Sequence, residues 1–116
     1  MKELYAQGDI ILEKVEDVKT VPKKSIIAND PDGAVVLARG EVTGHRHAFY
    51  TPQATLFRDD ALARDVPTEL YIGHVKIAAP SELKHEEHST IPLPPGTYRV
   101  RRQREWDLGA ARVVAD

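Results

Sequence analysis

The chain has 116 residues, a formal net charge of −2, 41% hydrophobic and 29% charged residues, and no cysteine. This composition predicts one folded domain over residues 1–116 and excludes a disordered tail, a disulfide framework, thiolate metal ligation and whole-molecule electrostatic binding to nucleic acid. No apolar run approaches the ~20 residues that cross a bilayer, and the segment from Met1 to Tyr5 lacks the apolar core of a signal peptide. A soluble, cytoplasmic protein with no membrane contact is therefore the expectation.

Gly8-Asp9 opens the first strand signal, Ile10 to Val15. Residues 16–33 are polar, carry Pro22 and Pro31, and hold an apolar island at Ile26-Ile27; that length marks a functional loop or a hairpin extension. Asp32-Gly33 is a turn signal before the strand Ala34 to Ala38. His47 to Tyr50 and Ala54 to Phe57 read as a hairpin around Thr51-Pro52-Gln53. Asp59 to Asp65 is the one helical candidate, capped by Asp59 or Asp60 and limited by Pro67. Glu69 to Ala78 returns to strand character, with a bulge expected near Gly73. Pro94-Pro95-Gly96 turns the chain into a strand from Thr97 to Trp106. There Tyr98, Val100, Arg102, Arg104 and Trp106 share one side, and Arg99, Arg101, Gln103 and Glu105 the other. Asp107 to Asp116 reads as a small strand around Val113-Val114 or a tail. Many short strands punctuated by turns predict an all-β fold, a small antiparallel β-barrel or roll with at most one short helix.

Four of the five histidines fall in two short-spaced pairs, His45-Arg46-His47 and His85-Glu86-Glu87-His88. Imidazole is the commonest metal ligand among side chains. On a strand, His45 and His47 share a face ~6–7 Å apart, within reach of one ion. His85 and His88 face opposite ways on a flat strand, so they join such a site only through a turn or bulge at Glu86-Glu87. Taken singly, His-x-His also fits an exposed polar strand and His-Glu-Glu-His a solvated acidic turn; the clustering of both pairs favours a shared site. The expected ligands are His45, His47, His85 and His88, and the expected cofactor is a divalent transition metal, zinc first. Glu86, Glu87 and Glu41 are the acid–base or ligand-orienting candidates. Metal-assisted hydrolysis is the simplest reaction class, because no phosphate loop, His-Glu-x-x-His helix or nucleophile elbow is present. His74, alone in an apolar strand, reads as structural.

Two further features suggest other partners. Arg99, Arg101, Arg102 and Arg104 beside Tyr98 and Trp106 resemble a single-stranded nucleic-acid platform, but arginines on both faces fit salt bridges better. The Lys23-Lys24-Ser25-Ile26-Ile27 tip supports an alternative function as a non-enzymatic interaction module. It would use the 16–33 loop to engage a small-molecule or protein partner, with homo-oligomerisation through sheet edges.

The runs Gly40-Glu41-Val42-Thr43-Gly44-His45-Arg46-His47, His85-Glu86-Glu87-His88, Ile91-Pro92-Leu93-Pro94-Pro95-Gly96-Thr97-Tyr98 and Gln103-Arg104-Glu105-Trp106 resemble a family of small bacterial and phage-type proteins without an assigned activity. That resemblance implies that the two histidine pairs belong to one recurring design. Asp9 to Val15, the loop with Ile26-Ile27, and Val35 to Val42 are similar to the first half of chaperonin-10-type co-chaperonins, which implies a small β-barrel with a partner-binding loop. The second half departs from that pattern. Cupin barrels also use His-x-His, but here no Glu follows His47 at short spacing and the later pair precedes Pro94-Pro95-Gly96.

Overall fold

The structure is a computed structural model that describes residues 3–40 and 42–103. Burial alternates along Ser81–Lys84 and Ile91–Leu93, whereas Ile10–Val15 and Gly96–Arg102 are buried on both faces over most of their length. Leu4–Gln7 (β1), Ile10–Val15 (β2), Ala54–Phe57 (β5), Tyr71–Ile77 (β6) and Gly96–Arg102 (β9) form one antiparallel sheet in the order β1-β2-β9-β6-β5. Val35–Arg39 (β3), Arg46–Phe49 (β4), Ser81–Lys84 (β7) and Ile91–Leu93 (β8) form the second, in the order β3-β4-β7-β8. The fold is thus all-β. The described strands remain two sheets and do not close into a barrel.

The core lies between the sheets. Ile10, Leu12, Val75, Tyr98 and Val100 from the first pack with Phe49, Leu83, Ile91 and Leu93 from the second. The opposite face of the five-stranded sheet is also covered, by an apolar cluster of Leu4, Ala6 and Ile11 and by buried charged side chains. Arg99 and Arg101 are buried and both engage Glu13, with Arg99 Nε and Arg101 Nε at 2.8 and 3.2 Å from Glu13 Oε1. Arg99 and Arg101 are thus salt-bridge residues. Arg104 and Trp106 of the expected longer strand, and Val113-Val114, lie outside the described residues.

The expected bulge is present, as a register shift in the β6–β9 pairing between Tyr71 and Gly73. A Cβ at Gly73 would meet the Phe57 carbonyl oxygen at 2.7 Å, so only glycine admits this close approach. The helix shortens to Asp60–Ala63 (α1), capped by the Asp59 carboxylate accepting from Ala61 N–H at 3.0 Å. The 16–33 loop is neither a free tip nor a hairpin extension. It runs along the outer edge of β5, where Ile27 N–H donates to Leu56 O at 2.8 Å and Arg58 N–H to Ser25 O at 2.9 Å. These bonds cover an edge that would otherwise expose backbone donors and acceptors. Ile26 and Ile27 remain 43% and 36% exposed above it.

His74 is structural in its surroundings. It is buried, its ring stacks on Phe57, and its Nδ1 lies 2.7 Å from the Tyr71 hydroxyl. Burial, reinforced by the Arg99 charge, pushes its pKa down to about 4. The unfolded imidazole titrates near 6.5, so between these values the unfolded chain binds the extra proton. Neutral His74 therefore contributes its stability above about pH 6.5, and that contribution is lost as pH falls through about 4. The loss amounts to about 3 kcal/mol. Urea unfolding at pH 7 and pH 4.5 should show a smaller acid loss for His74→Phe than for the wild type; equal losses would rule out this assignment.

Candidate functional site and family membership

Register brings the two histidine pairs face to face. β4 and β7 pair through Ala48↔Lys84 and Phe49↔Leu83. Carried past the end of β7, the same antiparallel alignment sets His47 opposite His85, Arg46 opposite Glu86 and His45 opposite Glu87. The contacts follow it. The His47 and His85 rings are 4.3 Å apart, Arg46 N–H donates to Glu86 Oε1 at 2.9 Å, and His45 Nδ1 lies 3.1 Å from Glu87 Oε1.

The chain then leaves the strand path, as the spacing of the second pair requires. His85 itself caps the bend: its Nδ1 accepts from Glu87 N–H at 3.0 Å and His88 N–H at 3.3 Å. This turns His88 back, 4.7 Å from His85 and stacked on His47 at 6.1 Å with a 15° interplanar angle. The Arg46 side chain points away, anchors the 16–33 loop through Asp30 and Asp32, and also donates to the Tyr50 hydroxyl.

A third wall comes from the β1–β2 hairpin, whose two-residue turn is Gly8-Asp9. Gln7 is fully buried there, and its Nε2 donates to Leu83 O at 3.0 Å and Ser89 O at 2.9 Å. Those carbonyls can only accept, so the amide orientation is determined and Gln7 Oε1 faces His47 Nδ1 at 2.9 Å. His47 must donate from Nδ1, which leaves the Nε2 lone pair free. Burial first, and the His85 charge second, hold the His47 pKa down to about 4, so the ring is neutral at neutral pH. His45 follows the same logic: its Nδ1–H serves the Glu87 carboxylate, and its Nε2 has no hydrogen-bond partner among the described residues. Carboxylate or amide partners of this kind orient imidazole ligands in metal sites.

The four rings share a cavity of about 290 Å³ with Asp9, Arg39, Arg102 and Glu87 at its rim. One ligand atom each of His45, His85 and Glu86 lie within 4.8 Å of one another. Asp9 Oδ1 sits 3.7 Å from His47 Nε2, while its other oxygen holds Arg102 at 2.9 Å. Accepting the Arg46 N–H keeps Glu86 below the usual carboxylate range, and burial with the neighbouring His88 lowers His85. The structure thus brings together His45, His47, His85, His88, Glu86 and Glu87. Glu41 lies outside the described residues.

Sequence reasoning missed Gln7, Gly8 and Asp9. The available signal was the Gly-Asp pair between two apolar runs, which marks a two-residue hairpin. Gly8 has φ +58, and a Cβ there would lie 2.8 Å from His88 Nε2 and 3.1 Å from His47 Cε1. Gly8→Ala should destabilise the protein by roughly 1–3 kcal/mol and weaken binding at the histidines about 10-fold or more. Gly33 is the control: it has φ +88 but open space around its Cβ position. Gly33→Ala should show only the stability loss in parallel urea and metal titrations; equal effects on binding would refute the steric argument.

No curated protein and no solved structure matched the chain. One family model did, over residues 6–103, a span that begins in β1 and contains every histidine of the pocket. The chain therefore belongs to the family described as Domain of unknown function (DUF8820).

Proposed function

We propose that this protein binds a divalent transition metal in the histidine pocket, zinc being the natural choice for imidazole with carboxylate nearby. The observation that carries this reading is the convergence of four imidazoles from the start of β4 and the bend that follows β7. A metal–nitrogen bond of about 2.0–2.1 Å puts ring centres roughly 3 Å from a shared ion, hence no more than roughly 6 Å apart. Four of the six ring pairs, separated by 4.3, 4.7, 5.7 and 6.1 Å, lie at or near that limit. His45 and His47 supply oriented Nε2 lone pairs. The His88 ring nitrogens have no hydrogen-bond partner among the described residues, and His85 stands between the others.

Metal-assisted hydrolysis is the reaction class this pocket fits best. A bound ion would lower the pKa of coordinated water and polarise an acyl or phosphoryl oxygen. Glu87 orients His45, and Glu86 stands close enough to act as ligand or base. Elemental analysis of protein purified without a histidine tag tests the reading. One equivalent of a transition metal per chain is expected, and substoichiometric metal that zinc cannot replenish would overturn it.

A further inference from the structure

We infer that capture of the metal opens the bend from His85 to His88, so that the ion switches residues 86–88 out of a closed, metal-free conformation. This deepens the metal reading above, as regulation of that same site, and rests on it.

His85 is indispensable to an ion in this pocket. Its ligand atom belongs to the group with His45 and Glu86 that lies within 4.8 Å, and its ring takes part in the separations of 4.3, 4.7 and 5.7 Å. A histidine ligates as neutral imidazole, offering one ring nitrogen's lone pair to the metal. In the metal-free fold His85 has already committed that lone pair. Backbone N–H groups can only donate, so the two that reach Nδ1, from Glu87 at 3.0 Å and from His88 at 3.3 Å, make this nitrogen an acceptor. The proton of the neutral ring is then on Nε2.

Both routes from this state to a coordinated ring break the same two bonds. Coordination through Nε2 sends the proton to Nδ1, where it meets two N–H groups, donor against donor. Coordination through Nδ1 takes the lone pair that the N–H groups share. His85 therefore cannot cap the bend and hold the ion at once. His45 and His47 face no such conflict, because their Nδ1 atoms have acceptor partners in Glu87 and Gln7.

The neighbouring anchors bound the movement. β7 ends at Lys84, and Gln7 Nε2 holds Ser89 O at 2.9 Å. Between them Glu86, Glu87 and His88 are exposed, so the segment can move without opening the core. The closed form must be left before the ion is fully held, which lowers the apparent affinity on the order of 10-fold for two hydrogen bonds. The metal-bound protein then presents a different 86–88 surface from the metal-free one.

The test is a zinc titration of the nitrogen-15-labelled full chain, read at its amides and ring nitrogens. Without zinc, His85 should be protonated on Nε2. With zinc, the Glu87 and His88 amide protons should move upfield and exchange with water about 3-fold faster or more, as expected for N–H groups that lose their acceptor. His85→Asn is the control: its amide oxygen can still accept the bend's N–H groups as an Asx turn does, but has no ring to surrender. Its Glu87 and His88 amides should keep their zinc-free exchange rates at the same zinc concentration. If zinc binds the wild type and both amides keep their metal-free shifts and rates, the inference is overturned while the metal site survives. It is equally overturned if metal-free His85 is protonated on Nδ1, or if the amides of His85→Asn respond as strongly as those of the wild type. If the wild type binds no zinc, both readings fall.

Discussion

Zinc at about 100 times its Kd should raise the wild-type melting temperature by roughly 10–20 °C, and His47→Ala should abolish the rise. The size follows from linkage. A ligand that binds only the native state at that excess contributes about 2.7 kcal/mol, and a domain near 100 residues gains about 4–8 °C per kcal/mol. His47 is the decisive position because it is the buried member of the set, with 5% exposure, and the ring whose tautomer is most firmly set. Removing it deletes one lone pair and leaves Gln7 Oε1 without its donor. Gln7→Met is the companion variant: it keeps all four imidazoles but frees His47 to choose its tautomer. Loss of such an orienting partner typically lowers metal affinity 10–100-fold, so a reduced rise is expected rather than none. Differential scanning calorimetry with and without zinc checks both. No zinc-dependent shift in the wild type, or an equal shift in His47→Ala, would end the metal reading.

The sequence made one half of this site legible and hid the other. His45-x-His47 could be placed on one face because strand periodicity needs no tertiary information. His85 and His88 required a bend whose cap is the His85 ring, and a side chain that caps its own turn has no sequence signature beyond spacing. The flanking strands β7 and β8 are four and three residues long, too short for alternation to stand out between prolines, so the 80–92 stretch reads as irregular. β1 escaped in the same way, and with it Gln7, whose role depends on carbonyls 76 and 82 residues away. Gly73 and Asp59 were legible because a bulge and a cap are local. The two-sheet arrangement was not, since a barrel and an open roll share the same strand and turn pattern and differ only in edge pairing.

Glu13→Leu should cost about 3–5 kcal/mol, a fall in melting temperature on the order of 20 °C, without removing the zinc-dependent rise. Glu13, Arg99 and Arg101 are paired on adjacent strands, with Glu13 directly across from Arg99. Their side chains are only 6–8% exposed. Deleting the carboxylate removes the partner that two guanidinium groups share in a layer largely closed to water, which costs more than the pair itself contributes. Arg99 also fastens the end of α1 to the sheet, because its Nη1 donates to Ala63 O at 2.9 Å. Arg99→Met should therefore also loosen the end of α1. In the double variant Glu13→Leu with Arg99→Met, the loss should be less than the sum of the singles, since one buried charge no longer opposes the other's removal. Urea unfolding measures all four chains, and strict additivity would show that the pair is not coupled. The retained zinc response carries the structural point. Glu13 lies on the far face of the five-stranded sheet and lines no wall of the histidine cavity. Stability from this polar layer and metal capture at the hairpin end should therefore vary independently, provided the variant still folds at the temperature of the titration.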